Sequence, residues 1–504
     1  MACIFLESFD KYGGVNSNAT SVVAMLTAGE WTSGSSTSAA IVAGLSATGQ
    51  ALSATLSSAQ PFVKSLGASY ARLIGGVRFA TNLVGSFNAG VSFADSGTQQ
   101  CSIVATPAGT ISLRNGAVGG TAIATSGSSI SANSTHYLEW DITFGNSAAY
   151  QVWLDGVSLF SGTGDTTATA NNTANQFVLT GAAGSAQVFT FDDLYLFDST
   201  GSTNNAVLLT SPRIETTFPA SDSAVQFVFG AGILGSSAQR VAANLSTVVN
   251  TLTLRRFTPS AACTINSISL MPSATAGSVN LRGVIYADSA GAAGTLLSSG
   301  TTVVGVTNGV AVTLPLTTPQ SLSAGTPYWI GFMNDLAMTN GVATADANSL
   351  GYRANSTFAS GAPGTAPAMT SGQGSFLLWG NLTGIAVNYD EVNNQPPDGQ
   401  YSYVYDATVN HEDLYTFTPL SLPAPATIHS VAVKAYVQKS DSGTRTVSMR
   451  TKSGATDSGG SLTGQAMGTT FGWLGSFFPT DPNTSAVWTR TNLDAATSGL
   501  KIDS

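Results

Sequence analysis

The stretch "HYLEWDITF" (His136–Phe144), continued after "GNSAA" by "YQVWLDGVSLF" (Tyr150–Phe160), decides the fold class. In the first run Tyr137, Glu139, Asp141 and Thr143 alternate with Leu138, Trp140, Ile142 and Phe144. A period of two places the second set on one apolar face. In the second run Val152, Leu154 and Val157 take the buried side. Between them Asp155-Gly156 suits a tight turn in which Gly takes a positive φ. Alternating runs bounded by Gly, Asn, Ser and Asp predict antiparallel strands packed as a sandwich.

Working outward, helical signals are scarce. "NSNATSVVAMLTAGEW" (Asn16–Trp31) predicts a short helix and "NLDAATSGL" (Asn492–Leu500) a single turn. In the middle of the chain "CTINSISLMP" and "GSVNLRGVIYADSAGAAGTLLSSG" alternate, with Val279, Leu281, Val284 and Tyr286 as core candidates, and Tyr328 to Met333 reads as a strongly apolar strand. Near the end Val431, Val433, Ala435 and Val437 alternate with Ala432, Lys434, Tyr436 and Gln438. A Ser-Asp-Ser-Gly turn then leads into "TRTVSMR", which predicts a hairpin with one buried and one wet face.

Composition agrees. A chain of 504 residues implies about two to four domains. Hydrophobic residues make up 43% and charged residues 9%, against roughly 25% charged in ordinary globular chains. No apolar run approaches the roughly 18 residues of a spanning helix, so membrane insertion is not expected. The apolar content is too high for disorder. Ser, Thr, Asn and 54 Gly carry the polarity, as in a β protein with many turns.

The net charge of −9 and pI near 4.7 argue against nucleic acid, which needs clustered Lys or Arg. Lysine is absent between Lys64 and Lys434, and Arg255-Arg256 is the only adjacent basic pair in that span. Cys3, Cys101 and Cys263 are odd in number and widely spaced, so buried free thiols are expected rather than a disulfide framework or a metal site. The opening "MACIFLESFDKYGG" has no basic n-region and no sustained apolar run, so no signal peptide is expected.

Two resemblances add to this. "VWLDGVSLF", the "ESFDKYG" opening, "GLSATGQALSA" (Gly44–Ala54) and the "FDDLYLFD" strand are similar to concanavalin-like jelly rolls, in which the first and last strands pair. "FTFDDLYLFDSTGSTNNAVLLTSPRIETTFPASDS" (Phe189–Ser223) resembles a module of tailed-bacteriophage virion proteins. In that family a "VDE..P" run follows almost directly. Here the matching "NYDEVNNQPPDGQYSYV" (Asn388–Val404) arrives only after a long stretch of different sequence. "HEDLYTFTPL", "ATIHSVAVKAYVQKSDSGTRTVSMRTKSG" and "FFPTDPNTSAVWTRTNLDAATSGLKI" continue the family pattern to the end, so a complete protein is expected. The middle stretch, through "IYADSAGAAGTLL" and "LSAGTPYWIGF", resembles sandwich modules that accompany surface and virion proteins and often look carbohydrate-binding. The expected organisation is all-β, with three antiparallel domains: a jelly roll at 1–220, an inserted sandwich at 221–387 and a C-terminal β-sandwich at 388–504.

Chemistry-bearing constellations are few. Asp192-Asp193 are adjacent on a strand and point to opposite faces, whereas a retaining glycosidase needs two carboxylates about 5 to 5.5 Å apart across its substrate. Turn or strand-end hydrogen bonding is the expectation for them. Glu139 and Asp141 share a face, with Cα atoms about 6.5 to 7 Å apart. They are similar to the E-x-D carboxylates of glucanase jelly rolls, but without the fuller motif, so an outward polar face is expected. His136, His411 and His429 show no ligand spacing, and neither a nucleophile elbow nor a Walker loop occurs. Trp140, Trp153, Trp329, Trp379, Trp473 and Trp488 are expected in cores, with Trp31 set less clearly by its Ser- and Thr-rich surroundings. The polar stretch Asn334–Thr365 reads as a long loop on a rigid sandwich, where binding usually sits. Tyr352 and Arg353 are its ligand-binding candidates.

The expectation is therefore a non-enzymatic structural protein on the exterior of a phage particle, at the tail, baseplate, fibre or capsid surface. It would work in assembly, stabilisation and host adhesion. No catalytic residue, metal or cofactor is expected. The expected partners are other virion proteins and copies of itself, with a trimer favoured, and a host surface glycan. Two alternatives stay open: a glycan-binding receptor-recognition protein, and a virion-associated glycan depolymerase, which would need Glu139 and Asp141 to line an open groove.

Overall fold

The structure is a computed structural model. It describes residues 3–504 except 29, 36–37, 47–48, 84–87, 201–202, 225, 237–240, 260–261, 271, 276–277, 307–311, 343–351, 371–377, 384–387, 389–391, 394–396, 398–402 and 421–426. Most of Asn388–Val404, and part of Asn334–Thr365, lie outside the described residues. The fold is all-β, built from antiparallel sheets, with one helix of ten residues at Ala19–Ala28. It forms two compact units, one of Met1–Phe218 with Thr408–Ser504 and one of Pro219–Ala407. The first and last sequence segments thus share a unit, and residues 388–407 group with the middle one.

In the first unit two sheets face each other. One runs in the order Val157–Gly164, Ala148–Leu154, His136–Thr143, Arg72–Thr81, Val188–Phe197, Gln50–Thr55, Ala40–Ala43. Cys3–Glu7 pairs with Val188–Phe197, so the first strand of the jelly roll lies beside its last. The other runs Ala122–Ser129, Thr110–Asn115, Thr98–Ala105, Ala89–Asp95, Ala174–Gly181, Phe62–Tyr70, Ser33–Gly34. The opening hairpin forms, Leu138 opposite Leu154 and Ile142 opposite Tyr150, but Val157, expected on its buried side, is exposed. Asp155 (φ 53°) and Gly156 (φ 77°) make its turn, the conformation that matches strand twist. Trp140 sits between the sheets, stacked on Phe177 at 6.0 Å and met by Phe93 at 5.6 Å. Gly75 makes room for it: a Cβ there would lie 2.6 Å from Trp140 and 2.7 Å from the Tyr195 carbonyl.

Asn18 Oδ1 accepts from the Ser21 amide and starts the helix, whose Val22 and Leu26 are fully buried. Trp31 belongs to the same core, between Phe5, Phe9 and Phe62. The turn expected at Asn492–Leu500 is displaced. Thr489 caps a helix at Arg490–Asp494, and Thr497–Ile502 is a strand. The hairpin expected from Val431 through "TRTVSMR" does not form. Val431–Val437 pairs with Gly472–Phe478, while Thr446–Ser453 pairs with Thr497–Ile502. A good local turn loses here to long-range pairing, because both strands have apolar faces to bury.

In the second unit one sheet runs Ala292–Ser299, Leu281–Ser289, Tyr328–Asn334, Thr251–Phe257, Tyr352–Asn355, and another contains Val312–Leu322, Cys263–Leu270, Leu378–Thr383, Val228–Ser236 and Tyr403–Tyr405. Val279, Leu281, Val284 and Tyr286 are all buried, but on two faces. Val279 and Leu281 pack with Ile265, Ile268 and Phe332, whereas Val284 and Tyr286 pack with Leu252, Leu254 and Trp329. The stretch Ser356–Thr370 covers that second face. Phe358 is buried on it, Tyr286 Oη donates to the Pro363 carbonyl at 3.0 Å, and the Leu296 amide donates to Gly364.

Candidate functional site

The side chains with the most unusual surroundings lie in the first unit, where the last hundred residues meet the jelly roll. Lys434 leaves the strand Val431–Val437 on the face expected to be wet. That face is instead covered. Lys434 Nζ donates to Glu30 Oε2 at 2.6 Å and to the Leu6 carbonyl at 2.6 Å. Glu30 Oε2 also accepts from Lys11 Nζ at 2.6 Å, and Lys11 reaches both oxygens of Glu7 at 2.8 and 2.7 Å. Lys64 Nζ donates to the Glu30 carbonyl at 2.9 Å. The Phe5 ring lies under Lys64 and Lys434, at 4.7 and 5.6 Å.

Five charged groups thus share one cluster, with Glu7 and Lys11 buried and Glu30, Lys64 and Lys434 half-buried. Burial opposes the charge on Glu30, yet Lys11, then Lys434 and Lys64, hold its carboxyl well below the usual range. Burial pushes Lys64 and Lys434 down from ordinary lysine values. Lys11 goes up: Glu30 and Glu7 outweigh its own desolvation. Beside the cluster Cys3, Ile74, Tyr137, Tyr195 and Phe197 pack with Phe477, against Leu6, Val207, Leu208 and Ala432. An apolar patch and an ionic one therefore seal the same joint.

A strap running from Asn204 to Thr216 crosses the same sheet, and side chains hold its irregular backbone. Asn204, Leu209 and Ser211 take positive φ, which non-glycine residues adopt only when the surroundings impose it. Glu139 Oε1 accepts from Tyr195 Oη at 2.6 Å and from the Leu208 and Leu209 amides at 3.0 Å each. Arg78 donates to the Ser211 and Pro212 carbonyls at 3.1 and 3.2 Å and to Asp193 Oδ2 at 2.8 Å. Asp193 Oδ1 accepts from the Ile214 amide at 2.7 Å. Ser8 and Thr216 share a hydroxyl bond at 2.7 Å.

Asp192-Asp193 form a bulge, with a register shift between Asp192 and Tyr195 and φ 49° at Asp193. Asp192 faces another loop, accepting from the Leu45 amide at 2.9 Å. Burial, then the neighbouring Asp193, pushes Asp192 up to about 7. Backbone hydrogen bonding was the role expected of this pair, and these bonds supply it. Glu139 departs from expectation. It is fully buried under the strap rather than part of an outward polar face, while Asp141 on the same strand face is paired with Arg72 at 2.7 Å.

Tyr352 and Arg353, expected in a loop, lie in the strand Tyr352–Asn355 opposite Leu254 and Thr253. Tyr352 meets Trp329 edge-on at 4.9 Å. The Arg353 amide and carbonyl bond to Thr370 at 3.0 and 2.8 Å. Nearby, Asp288 accepts from Arg256 at 2.7 Å and from Trp329 Nε1 at 2.8 Å. The hydrogen bond to Arg256 holds its carboxyl below the usual range.

The three thiols are free and buried, and burial raises Cys3 to about 12. His136 Nδ1 lies 2.8 Å from Asp155. Among the described residues no group of three or more His, Cys, Asp or Glu is placed to hold a metal ion, and no helix is long and apolar enough to cross a membrane. Trp31, Trp140, Trp329, Trp379 and Trp488 are buried. Trp473, expected in a core, is half-buried. It joins Tyr436 at 5.4 Å, and Tyr436 stacks on Phe471 at 5.2 Å.

The sequence did carry a signal for the joint. Lysine is missing between Lys64 and Lys434, and these two are the lysines that converge with Lys11 on Glu30.

No family model and no curated protein matches the chain. Among solved structures it is similar to the alginate lyase Aly36B, with 14% identity over 38% of this chain and 95% of that one, TM-score 0.28. It is similar to domain 4 of AbnA, an extracellular arabinanase from Geobacillus stearothermophilus in complex with arabinotriose, with 19% identity over 32% and 75%, TM-score 0.24. It is similar to the receptor-binding domain of botulinum neurotoxin mosaic serotype C/D, with 11% identity, TM-score 0.24. That match covers 32% of this chain and 42% of the neurotoxin domain. Likeness at these scores carries no functional argument.

Proposed function

We propose that this chain is a non-enzymatic structural protein on the exterior of a tailed-phage particle, acting in assembly and stabilisation as a homo-oligomer. The observation that carries this reading is how the conspicuous polar side chains are used. Glu139, Asp193, Arg78, Glu30 and Lys434 all bind other segments of the same chain. Glu139 in particular is enclosed, where a depolymerase would need it open. The resemblance of Phe189–Ser223 to phage virion proteins supports the same reading, since the strap it encodes is what Glu139, Asp193 and Arg78 hold. A cryo-EM map of the particle tests it. Density for this chain on the capsid, tail, baseplate or fibres supports it; a particle without the chain refutes it.

Glycan recognition is favoured by one observation, the half-buried row Phe471, Tyr436 and Trp473. Aromatic faces with a wet edge suit stacking on a sugar ring. A glycan array separates this reading: binding lost in Trp473→Ala supports it, and binding unchanged by that substitution refutes it.

A further inference from the structure

We infer that the turn from Gly44 to Gln50 and the strap end from Ile214 to Thr216 form a pH-sensitive latch, closed over Asp10, Asp192 and Asp193 in mild acid and loosened as pH rises past neutrality. Two segments distant in sequence hang on these three carboxylates. The turn is clamped at both ends: the Leu45 amide donates to Asp192 Oδ2 at 2.9 Å and the Gln50 amide to Asp10 Oδ1 at 2.6 Å. Gly49, at φ 85°, permits the close approach, since a Cβ there would lie 2.4 Å from Asp10 Oδ1. The strap end hangs on Asp193 through the Ile214 amide at 2.7 Å, and on Ser8 through the Thr216 hydroxyl.

Like charges outnumber cations in this seam. Asp192 and Asp193 are 2% and 0% exposed. Arg78 Nε meets Asp193 at 2.8 Å, and its Nη2 is taken up by the Ser211 and Pro212 carbonyls. Among the described residues neither Asp10 nor Asp192 is ion-paired; their bonds go to backbone amides. The other charged or titratable groups that face Asp193 are Arg213, itself beside Glu215, and Tyr137, whose hydroxyl donates to the Asp193 carbonyl. The turn brings no titratable side chain. Buried carboxylates crowded in this way favour the neutral form, and burial accordingly raises all three, Asp192 to about 7. The proton held in mild acid leaves as pH rises, and the seam then carries the full repulsion. Asp192 and Asp193 are fixed in a strand flanked by Arg72–Thr81 and Gln50–Thr55. The turn and the strap end are therefore the parts that give, and the strap is the segment that covers Glu139.

Hydrogen exchange of the full chain, read by mass spectrometry and corrected for the intrinsic pH dependence of amide exchange, tests the latch. Peptides covering Leu45 to Gln50 and Ile214 to Thr216 would be followed at about pH 6 and about pH 8. With Asp192 at about 7 when the latch is shut and at its ordinary 3.8 when open, linkage makes their protection fall about tenfold over that range. Asp192→Asn imitates the protonated carboxyl in shape and charge, so its seam protection should stay level to within about twofold. Three results would overturn the inference: no fall in wild type, an equal fall in Asp192→Asn, or seam amides as well protected as the core strand Ala89–Asp95 at about pH 8, which would place the change in global unfolding.

Discussion

Replacing Lys434 with Met keeps the aliphatic stem and removes the ammonium group from the cluster. Two bonds are lost, to Glu30 Oε2 and to the Leu6 carbonyl, both at 2.6 Å. Breaking a buried ion pair by removing one partner costs about 3–5 kcal/mol when the other charge is left bare. Here Glu30 keeps Lys11 at 2.6 Å, and removing Lys434 also ends the desolvation that pushes that lysine down. The Leu6 carbonyl, left without this donor, costs about 1–3 kcal/mol. Together these place Lys434→Met at about 2–3 kcal/mol, near the lower end for a broken pair. Glu30→Gln should cost more, about 4 kcal/mol, because Lys11, Lys64 and Lys434 then face one another with only Glu7 left. The double variant should cost less than the sum by about 1–2 kcal/mol. Equilibrium urea unfolding of the full chain, followed on the transition that Lys434→Met shifts, measures all three. A neutral Lys434→Met, together with additivity within about 0.5 kcal/mol, would refute the claim that this cluster seals the joint.

Other perturbations test other parts. Arg78→Ala should free the strap at Ser211 and Pro212 and leave Asp193 without its cation, at about 3 kcal/mol, and hydrogen exchange at Ile214 should quicken. Gly75→Ala should cost about 3 kcal/mol by overpacking, since the new methyl would meet Trp140 at 2.6 Å; thermal unfolding reads it. Asp192 gives a pH dependence. Its carboxyl is raised to about 7 from 3.8, so the folded state binds the extra proton between those values. The stability tied to that proton is fully present below about pH 4 and is lost as pH rises through about 7. Wild type should therefore gain about 2 kcal/mol between pH 8 and pH 5 relative to Asp192→Asn. His429, lowered by burial, acts in the opposite sense below about 6.5 in both proteins and cancels in the comparison.

What the sequence disclosed follows from the range of the forces involved. Strand alternation is local, so the hairpin around Asp155-Gly156 and the all-β class were both legible. Which face is buried was not. Glu139, Lys434 and Val284 all sit on faces that alternation assigns to the wrong side, or to one side only. In each case a distant segment covers the second face: the strap over Glu139, the jelly roll over Lys434, Ser356–Thr370 over Val284 and Tyr286. A two-residue period tells the faces apart but does not count the layers stacked on them. Tyr352 and Arg353 lie in a strand where a loop was expected for the same reason. A polar stretch that clads a sheet has the composition of a loop that binds ligand.

The low charge of the chain takes on meaning at this point. With six lysines in 504 residues, three meeting on Glu30 is not what a solvated surface produces. Lysine is ordinarily the side chain most easily left in water. Burying Lys11 and half-burying Lys64 and Lys434 is costly, and replacing a buried ion pair with well-packed apolar residues is often neutral or stabilising. Maximal stability alone therefore does not account for the cluster. Selectivity does. An apolar patch such as Cys3, Ile74, Tyr137, Tyr195 and Phe197 would accept many apolar surfaces. Beside it Glu30 Oε2 and the Leu6 carbonyl offer an arriving ammonium group two acceptors at 2.6 Å, a geometry that a purely apolar surface does not match. A C-terminal segment separated from its seat by 189 intervening residues gains more from that discrimination than from the last few kcal/mol of packing.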